Sequence, residues 1–110
     1  MPELPGGLKV EDTVVGTGKE CPRGAKVTVH YRGCLENGTE FDSSYKRGKP
    51  IEFPLGNLIA GWQEGIPGMK EGGKRTLTIP YQLGYGERGS PPTIPPRATL
   101  VFEIELIKVK

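Results

Sequence analysis

Long hydrophobic runs are missing from this chain. No apolar stretch approaches the ~18 residues that a membrane-spanning helix needs, so no span is expected. An excess of one charge is missing too. Lys and Arg number 15 against 13 Asp and Glu, a net of +2, which is too weak a bias to read as a nucleic-acid surface. Histidine occurs once and cysteine twice, with no CxxC or Cys/His cluster. That removes the ligand sets of a zinc site, and no metal is expected. Cys21 and Cys34 are expected as free thiols, with a disulfide between them left open. The opening MPELPGGLKV has neither the basic n-region nor the apolar h-region of a signal peptide, so the expected location is a reducing cytoplasm. Ser43 and Ser44 have no His/Asp arrangement around them, and Gly68 to Arg75 (GMKEGGKR) lacks the order of a phosphate loop. Hydrolase and nucleotide readings therefore fall away.

What the chain does have is glycine, 17 residues, and proline, 11. Such a composition favours strands and turns over a helix bundle. The length of 110 residues suits a single domain, 1–110, with residues 1–6 as a loose start. Lys26 to Leu35 alternates, Val27, Val29, Tyr31 and Leu35 on one face and Thr28, His30 and Arg32 on the other, as a half-buried strand does. Asn37-Gly38 then marks a hairpin, both residues tolerating positive φ. Ile51–Phe53, Lys74–Ile79 and Ala98–Lys108 read as further strands. Residues 57–66 form the one credible helix, capped by Asn57, with Leu58, Ile59, Trp62 and Ile66 on its apolar face. One-sided alternation implies antiparallel strands with a solvated outer face, and the short helix must cover the inner one. The fold class expected is α+β, a curved antiparallel sheet (a half-barrel) wrapped around one short α-helix.

The chemistry-bearing features are aromatic and prolyl. Tyr31, Phe53 and Phe102 lie on inward strand faces, Trp62 on the helix, and Phe41 and Tyr85 at loop entrances. They are either simply the core or the walls of a pocket. Between Leu83 and Phe102 sit Pro91, Pro92, Pro95 and Pro96, with Thr93 and Ile94 at the tip. Proline restricts φ and so stiffens such a loop. It is a preformed pocket wall or a stabilised surface turn; spacing alone does not choose. His30, on the outer strand face, is expected at the solvated surface, and Lys46, Arg47 and Lys49 in a solvated basic loop. Ser43 and Ser44 are expected to cap or brace the turn after Asp42.

In order along the chain, VHYRGCLENGTEFDSS, PLG with LIAGW, EGIPGMKEGGKRTLTIP, LGYGERG and IPPRATLVFEIEL resemble the blocks of the FKBP family, the tacrolimus-binding immunophilins with peptidyl-prolyl cis-trans isomerase activity. The resemblance runs from about Gly7 to Val109. It implies a minimal single-domain member in which Tyr31, Phe41, Asp42, Phe53, Leu58, Ile59, Trp62, Tyr85, Ile94 and Phe102 line a prolyl pocket with Trp62 as its floor. Tyr31, Asp42, Tyr85 and Phe102 would carry the catalysis, and Ile51, Ser90 and Thr93 would join the ligand-binding set. These last three depart from the family's better-known members, where phenylalanine, histidine and isoleucine stand. The resemblance further implies proline-containing polypeptides as substrates, macrolides such as tacrolimus and rapamycin as ligands and no cofactor; a monomer is expected because no exposed apolar helix or long spare strand suggests an interface. The alternative is a module that binds proline-containing peptides or macrolides with little catalytic role.

Overall fold

A computed structural model of the chain describes residues 3–4, 7–90 and 93–110. The strands are β1 (Glu3–Leu4), β2 (Leu8–Val14), β3 (Lys26–Leu35), β4 (Glu40–Ser43), β5 (Ile51–Pro54), β6 (Lys74–Ile79) and β7 (Leu100–Val109). Two short helices interrupt them, α1 (Ser44–Arg47) and α2 (Ala60–Gly65). The strands form one antiparallel sheet in the order β1-β2-β6-β7-β3-β4, with β5 also pairing to β3.

The inner face carries the residues that alternation assigns to it. Val27, Val29 and Tyr31 of β3, Leu77 and Ile79 of β6, and Leu100, Phe102, Ile104 and Leu106 of β7 are buried, together with Trp62 and Ile66. β3 is the organising strand. One edge is zipped to β7 from Val27↔Val109 to Leu35↔Leu100. The other edge is divided: β5 pairs with Lys26 to Val29, and β4 with Arg32 to Cys34. His30 and Tyr31 fall in the gap, and there α1 leaves the sheet.

Several local expectations need correction. Within the start read as loose, residues 1–6, Glu3 and Leu4 pair with Lys9 and Leu8. β2 carries no strand signal in its sequence, because only Leu8 and Val10 of its seven residues are buried and so short an alternation has no contrast. The last strand begins at Leu100, not Ala98. Asn37 does not take positive φ; Gly38 alone does, at 94°. Its N–H bonds to the Leu35 carbonyl at 2.9 Å and Leu35 N–H to Thr39 at 2.8 Å, a turn closed by one left-handed glycine. Cys21 and Cys34 are buried free thiols.

Nor does one helix run from 57 to 66. A 3-10 turn at Leu55–Asn57 ends in two extended residues, Leu58 (ψ 171°) and Ile59 (ψ 153°), before α2 begins. Asn57 therefore is not the cap; Ile59 holds that position without a side-chain cap bond. Gln63 stabilises the break by donating from Nε2 to the Leu58 carbonyl at 2.6 Å. At the far end of α2, Arg75 donates from Nη1 to the Gly65 carbonyl at 2.8 Å and grips Asp12 through Nε at 2.6 Å and Nη2 at 3.2 Å. One guanidinium fork thus ties α2, β6 and β2 together.

α2 lies unusually close to β6 because glycine faces the sheet. A Cβ at Gly61 would sit 2.6 Å from two carbons of the buried Ile79, and one at Gly65 would sit 2.7 Å from Leu77. Gly61→Ala is expected to destabilise the fold by about 1–3 kcal/mol through overpacking, although alanine is the better helix former by about 1 kcal/mol. Urea unfolding decides between the two effects; a more stable variant would mean that helix propensity wins.

Candidate active site

Where β3, β5 and β7 meet the start of α2 the inner face opens into a hollow of about 180 Å³. Nine of the thirteen sequence-predicted residues line it: Tyr31, Phe41, Asp42, Phe53, Leu58, Ile59, Trp62, Tyr85 and Phe102. Each is delivered by ordinary local structure. Tyr31, Phe53 and Phe102 point inward by strand alternation, Trp62 sits on the sheet-facing side of α2, and Leu58 and Ile59 lie in the extended break. Trp62, although only 4% exposed, forms the floor. Three rings stand nearly perpendicular to it: Tyr31 at 5.3 Å between centroids, Phe102 at 5.2 Å and Phe53 at 5.8 Å. Phe41 meets Phe102 in the same edge-on manner at 5.5 Å. Edge-to-face contact holds the rings apart in fixed directions, so the hollow persists. Gly33 makes room for this wall, since a Cβ there would lie 2.7 Å from Phe102 and 2.8 Å from Phe41.

The other four predicted residues lie elsewhere. Ile51 packs into the core beside the cavity; the larger Tyr31 and Phe53 rings, 6.0 Å apart, take the wall. Ser90 and Ile94 pair with each other through N–H to carbonyl bonds of 2.8 and 2.9 Å, which closes the proline loop. That pairing turns Ile94 into the core at 4% exposure and leaves Thr93 outside it, exposed. Pro91 and Pro92 lie outside the described residues.

One polar cluster borders the aromatic wall. Tyr31 donates its phenolic proton to Asp42 Oδ2 at 2.6 Å and accepts from Arg47 Nη2 at 2.7 Å. Arg47 also donates to Asp42 Oδ1 at 3.0 Å, and Asp42 accepts the Ser43 N–H at 2.9 Å. The hydroxyl of Tyr31 is thereby spent on its neighbours, which leaves the ring to the cavity. Arg47 is exposed, as expected of that stretch, but it ends the short helix α1, which brings its guanidinium onto Asp42 and the Tyr31 hydroxyl. The available signal was its spacing, five residues beyond Asp42, about one helical turn after a strand end. Ser44 braces and does not cap. Wholly buried, its Oγ accepts the Tyr31 N–H at 2.7 Å and lies 3.3 Å from the Tyr31 carbonyl, so it fills the gap in the β3 ladder. Two polar groups remain free to meet a ligand. Among the described residues neither the Ile59 N–H nor the Tyr85 hydroxyl has a hydrogen-bond partner.

Burial, then the Asp42 hydrogen bond and charge, push Tyr31 up to about 12 against the opposing Arg47. Burial alone would raise Asp42, but the bonds from Tyr31 and Arg47, the Arg47 charge and the Ser43 N–H outweigh it and hold the carboxyl below its usual range. Burial and the Asp42 charge raise Tyr85. At neutral pH the site thus presents two neutral phenols and one carboxylate matched to its arginine.

The ionised Asp42 contributes stability that is complete above the ordinary carboxylate pKa of ~3.9 and is lost as pH falls through its lowered folded value. Tyr31 is the opposite case: its contribution is complete below the ordinary phenol pKa of ~10 and is lost as pH rises through about 12. Asp42→Asn should therefore flatten part of the acid limb of stability against pH, and Tyr31→Phe part of the alkaline limb. Urea midpoints taken across both limbs test this; parallel wild-type and variant curves would refute it.

A family model described as FKBP-type peptidyl-prolyl cis-trans isomerase matches residues 18–107. The chain is 58% identical over 106 residues to an FK506-binding protein of Neisseria meningitidis serogroup B, covering 94% of this chain and 97% of that one. It is 55% identical over 111 residues to a probable FK506-binding protein of Corynebacterium glutamicum, covering 96% and 93%. The crystal structure of AtFKBP13 superposes with a TM-score of 0.90 at 46% identity, covering 98% of this chain and 97% of that one. FkpA from Escherichia coli superposes at 0.93 and 44% identity, with 99% of this chain matching 51% of that one. On matches of this extent, laid over an open antiparallel sheet and an aromatic hollow, the chain belongs to the FKBP-type peptidyl-prolyl cis-trans isomerase family.

Proposed function

We propose that this chain accelerates rotation about X–Pro bonds in unfolded or flexible polypeptides by non-covalent means, with the hollow over Trp62 as the prolyl site. The observation that carries the reading is that hollow: a cavity walled by five aromatic side chains of strands and helix, with Tyr85 at its edge, bordered by an already paired Tyr31–Asp42–Arg47 cluster and by two polar groups left for a ligand.

Rotation is slow because it breaks amide resonance, a barrier of ~18–20 kcal/mol. In X–Pro the two isomers are close in energy, so the barrier and not the equilibrium limits exchange. The planar imide carries extra negative charge on oxygen and partial positive charge on nitrogen. The twisted one returns the lone pair to nitrogen and is less dipolar. An apolar, water-poor site therefore favours the twisted form over the planar one. Trp62, Phe53 and Phe102 enclose the prolyl ring. Tyr31, Phe41 and Phe102 present weakly positive ring edges to the rotating carbonyl. The free Ile59 N–H and the Tyr85 hydroxyl receive substrate carbonyls. Asp42 and Arg47 hold Tyr31 in place, and no proton needs to pass through them.

The same hollow accepts one ring-sized part of a macrolide such as tacrolimus or rapamycin. Its volume lies below the ~300–1,000 Å³ of pockets that engulf whole drug-sized ligands, so the rest of such a ligand lies across the rim formed by Phe41, Leu58 and Tyr85. The protein is proposed to act as a cytoplasmic monomer.

Isomerisation of short X–Pro peptides and proline-limited refolding measure the activity. Trp62→Ala is expected to lower kcat/KM by about tenfold or more, each ~1.4 kcal/mol of lost transition-state stabilisation being a factor of ten, and Tyr85→Phe by less. Tacrolimus should abolish the acceleration. Tight macrolide binding without any rate enhancement would instead mean a binding module. A steep loss of rate in folded protein, on acidification through a carboxylate pKa, would contradict the absence of acid–base chemistry.

A further inference from the structure

The side of Ser44 away from the cavity faces the sole histidine. His30 was expected at the solvated surface; it is half-buried, its ring stacked on Tyr45 at 4.6 Å between centroids and 11° between planes. Its Nδ1 lies 2.9 Å from Ser44 Oγ. That hydroxyl, wholly buried, already accepts the Tyr31 N–H at 2.7 Å, and its own proton has two possible acceptors: His30 Nδ1, and the Tyr31 carbonyl at 3.3 Å. We infer that His30 is a positioning residue for the isomerase reaction, its protonation state deciding through Ser44 how the backbone of Tyr31 is held. The inference rests on the prolyl-isomerase reading of the cavity.

The proton inventory is short. When Nδ1 of a neutral His30 is unprotonated, it takes the Ser44 proton across the shorter distance and the Tyr31 carbonyl loses its partner. When His30 is a cation, Nδ1 becomes a donor. Ser44 Oγ then accepts both the Nδ1 proton and the Tyr31 N–H, and its own proton turns to the Tyr31 carbonyl. Tyr31 is the residue where the β3 ladder has no strand on this side, so Ser44 is its main restraint there. A change in that restraint moves the same side chain whose ring forms the cavity wall.

Histidine is the side-chain type that ordinarily changes charge within a window of about pH 5 to 8, and this chain has one. The groups facing that side of the sheet are Arg32 beside it on β3, Glu103, Glu105 and Lys108 on β7, Lys74 on β6, Glu52 on β5, Glu40 on β4, and Tyr45 and Lys46 on α1. Carboxylates, ammonium and guanidinium groups keep their charge across it. Burial and then Glu105 raise Tyr45 further out of the window. Within the site, Tyr31 stands at about 12 and Asp42 is lowered, so neither titrates there.

The experiment pairs two readouts on the whole chain across about pH 5 to 8. One is the NMR shift of the Tyr31 amide alongside the His30 ring; the other is kcat/KM on an X–Pro peptide. The expected result is a single midpoint shared by the His30 ring, the Tyr31 amide and a step in kcat/KM of roughly two- to fivefold, in keeping with the rate sensitivity to sub-ångström displacement of a positioning group. His30→Asn places a non-titrating acceptor near the position of Nδ1 and should flatten both profiles. An active wild type whose Tyr31 amide ignores the His30 midpoint, or a step that survives in His30→Asn, overturns the inference and leaves the isomerase reading standing. A wild type that accelerates no X–Pro bond at any pH overturns both.

Discussion

Tyr31 is held at three points, and the site depends on all of them. Its backbone lies opposite Ile104 of β7 and turns its N–H and carbonyl to the Ser44 hydroxyl. Its ring leans edge-on toward Trp62. Its hydroxyl is shared between Asp42 and Arg47. The gap that divides β4 from β5 along β3 makes the Ser44 and Arg47 contacts possible. Because the chain leaves the sheet there as α1, Ser44 and Arg47 reach Tyr31 from outside the ladder. A continuous strand in that place would satisfy the backbone and leave the phenol without Arg47.

The cavity and its polar border obey opposite rules and are kept apart. The reaction proposed for the hollow needs weak solvation and no exchangeable charge, so its floor and walls are rings. The one carboxylate at its edge is neutralised by an arginine and directed at a phenol that already has its partners. The Asp42–Arg47 pair is partly exposed, and ion pairs in that setting add little stability. Its consequence is geometric, because it fixes where one aromatic wall stands.

Much of the fold was legible in the chain because alternation is a local property. Lys26–Leu35 and Lys74–Ile79 form strands over the bounds read from pattern, each with a clear dry face and wet face. β2 was illegible since its exposed half carries no such contrast. The break before α2 was hidden because Leu58 and Ile59 continue a helical apolar spacing while the Gln63 side chain and the approach of Gly61 to Ile79 hold them extended and set the start later. At the site the inward direction of Tyr31, Phe53 and Phe102 was legible in the alternation, but whether they pack solid or wall a hollow was not; Ile51, Ser90, Thr93 and Ile94 are not among the residues lining the hollow.

The sequence by itself determined the inward set of apolar residues, the turns, and the family to which its ordered blocks are similar, because each depends on residue type and short spacing. Only the tertiary structure decided that Trp62 adjoins a hollow instead of a filled core, since a void is a property of how perpendicular rings fail to interlock. It alone brought Arg47 to Tyr31 and His30 to Ser44, for these meetings depend on where α1 leaves the sheet, and that exit is set by the pairing of three strands distant in sequence.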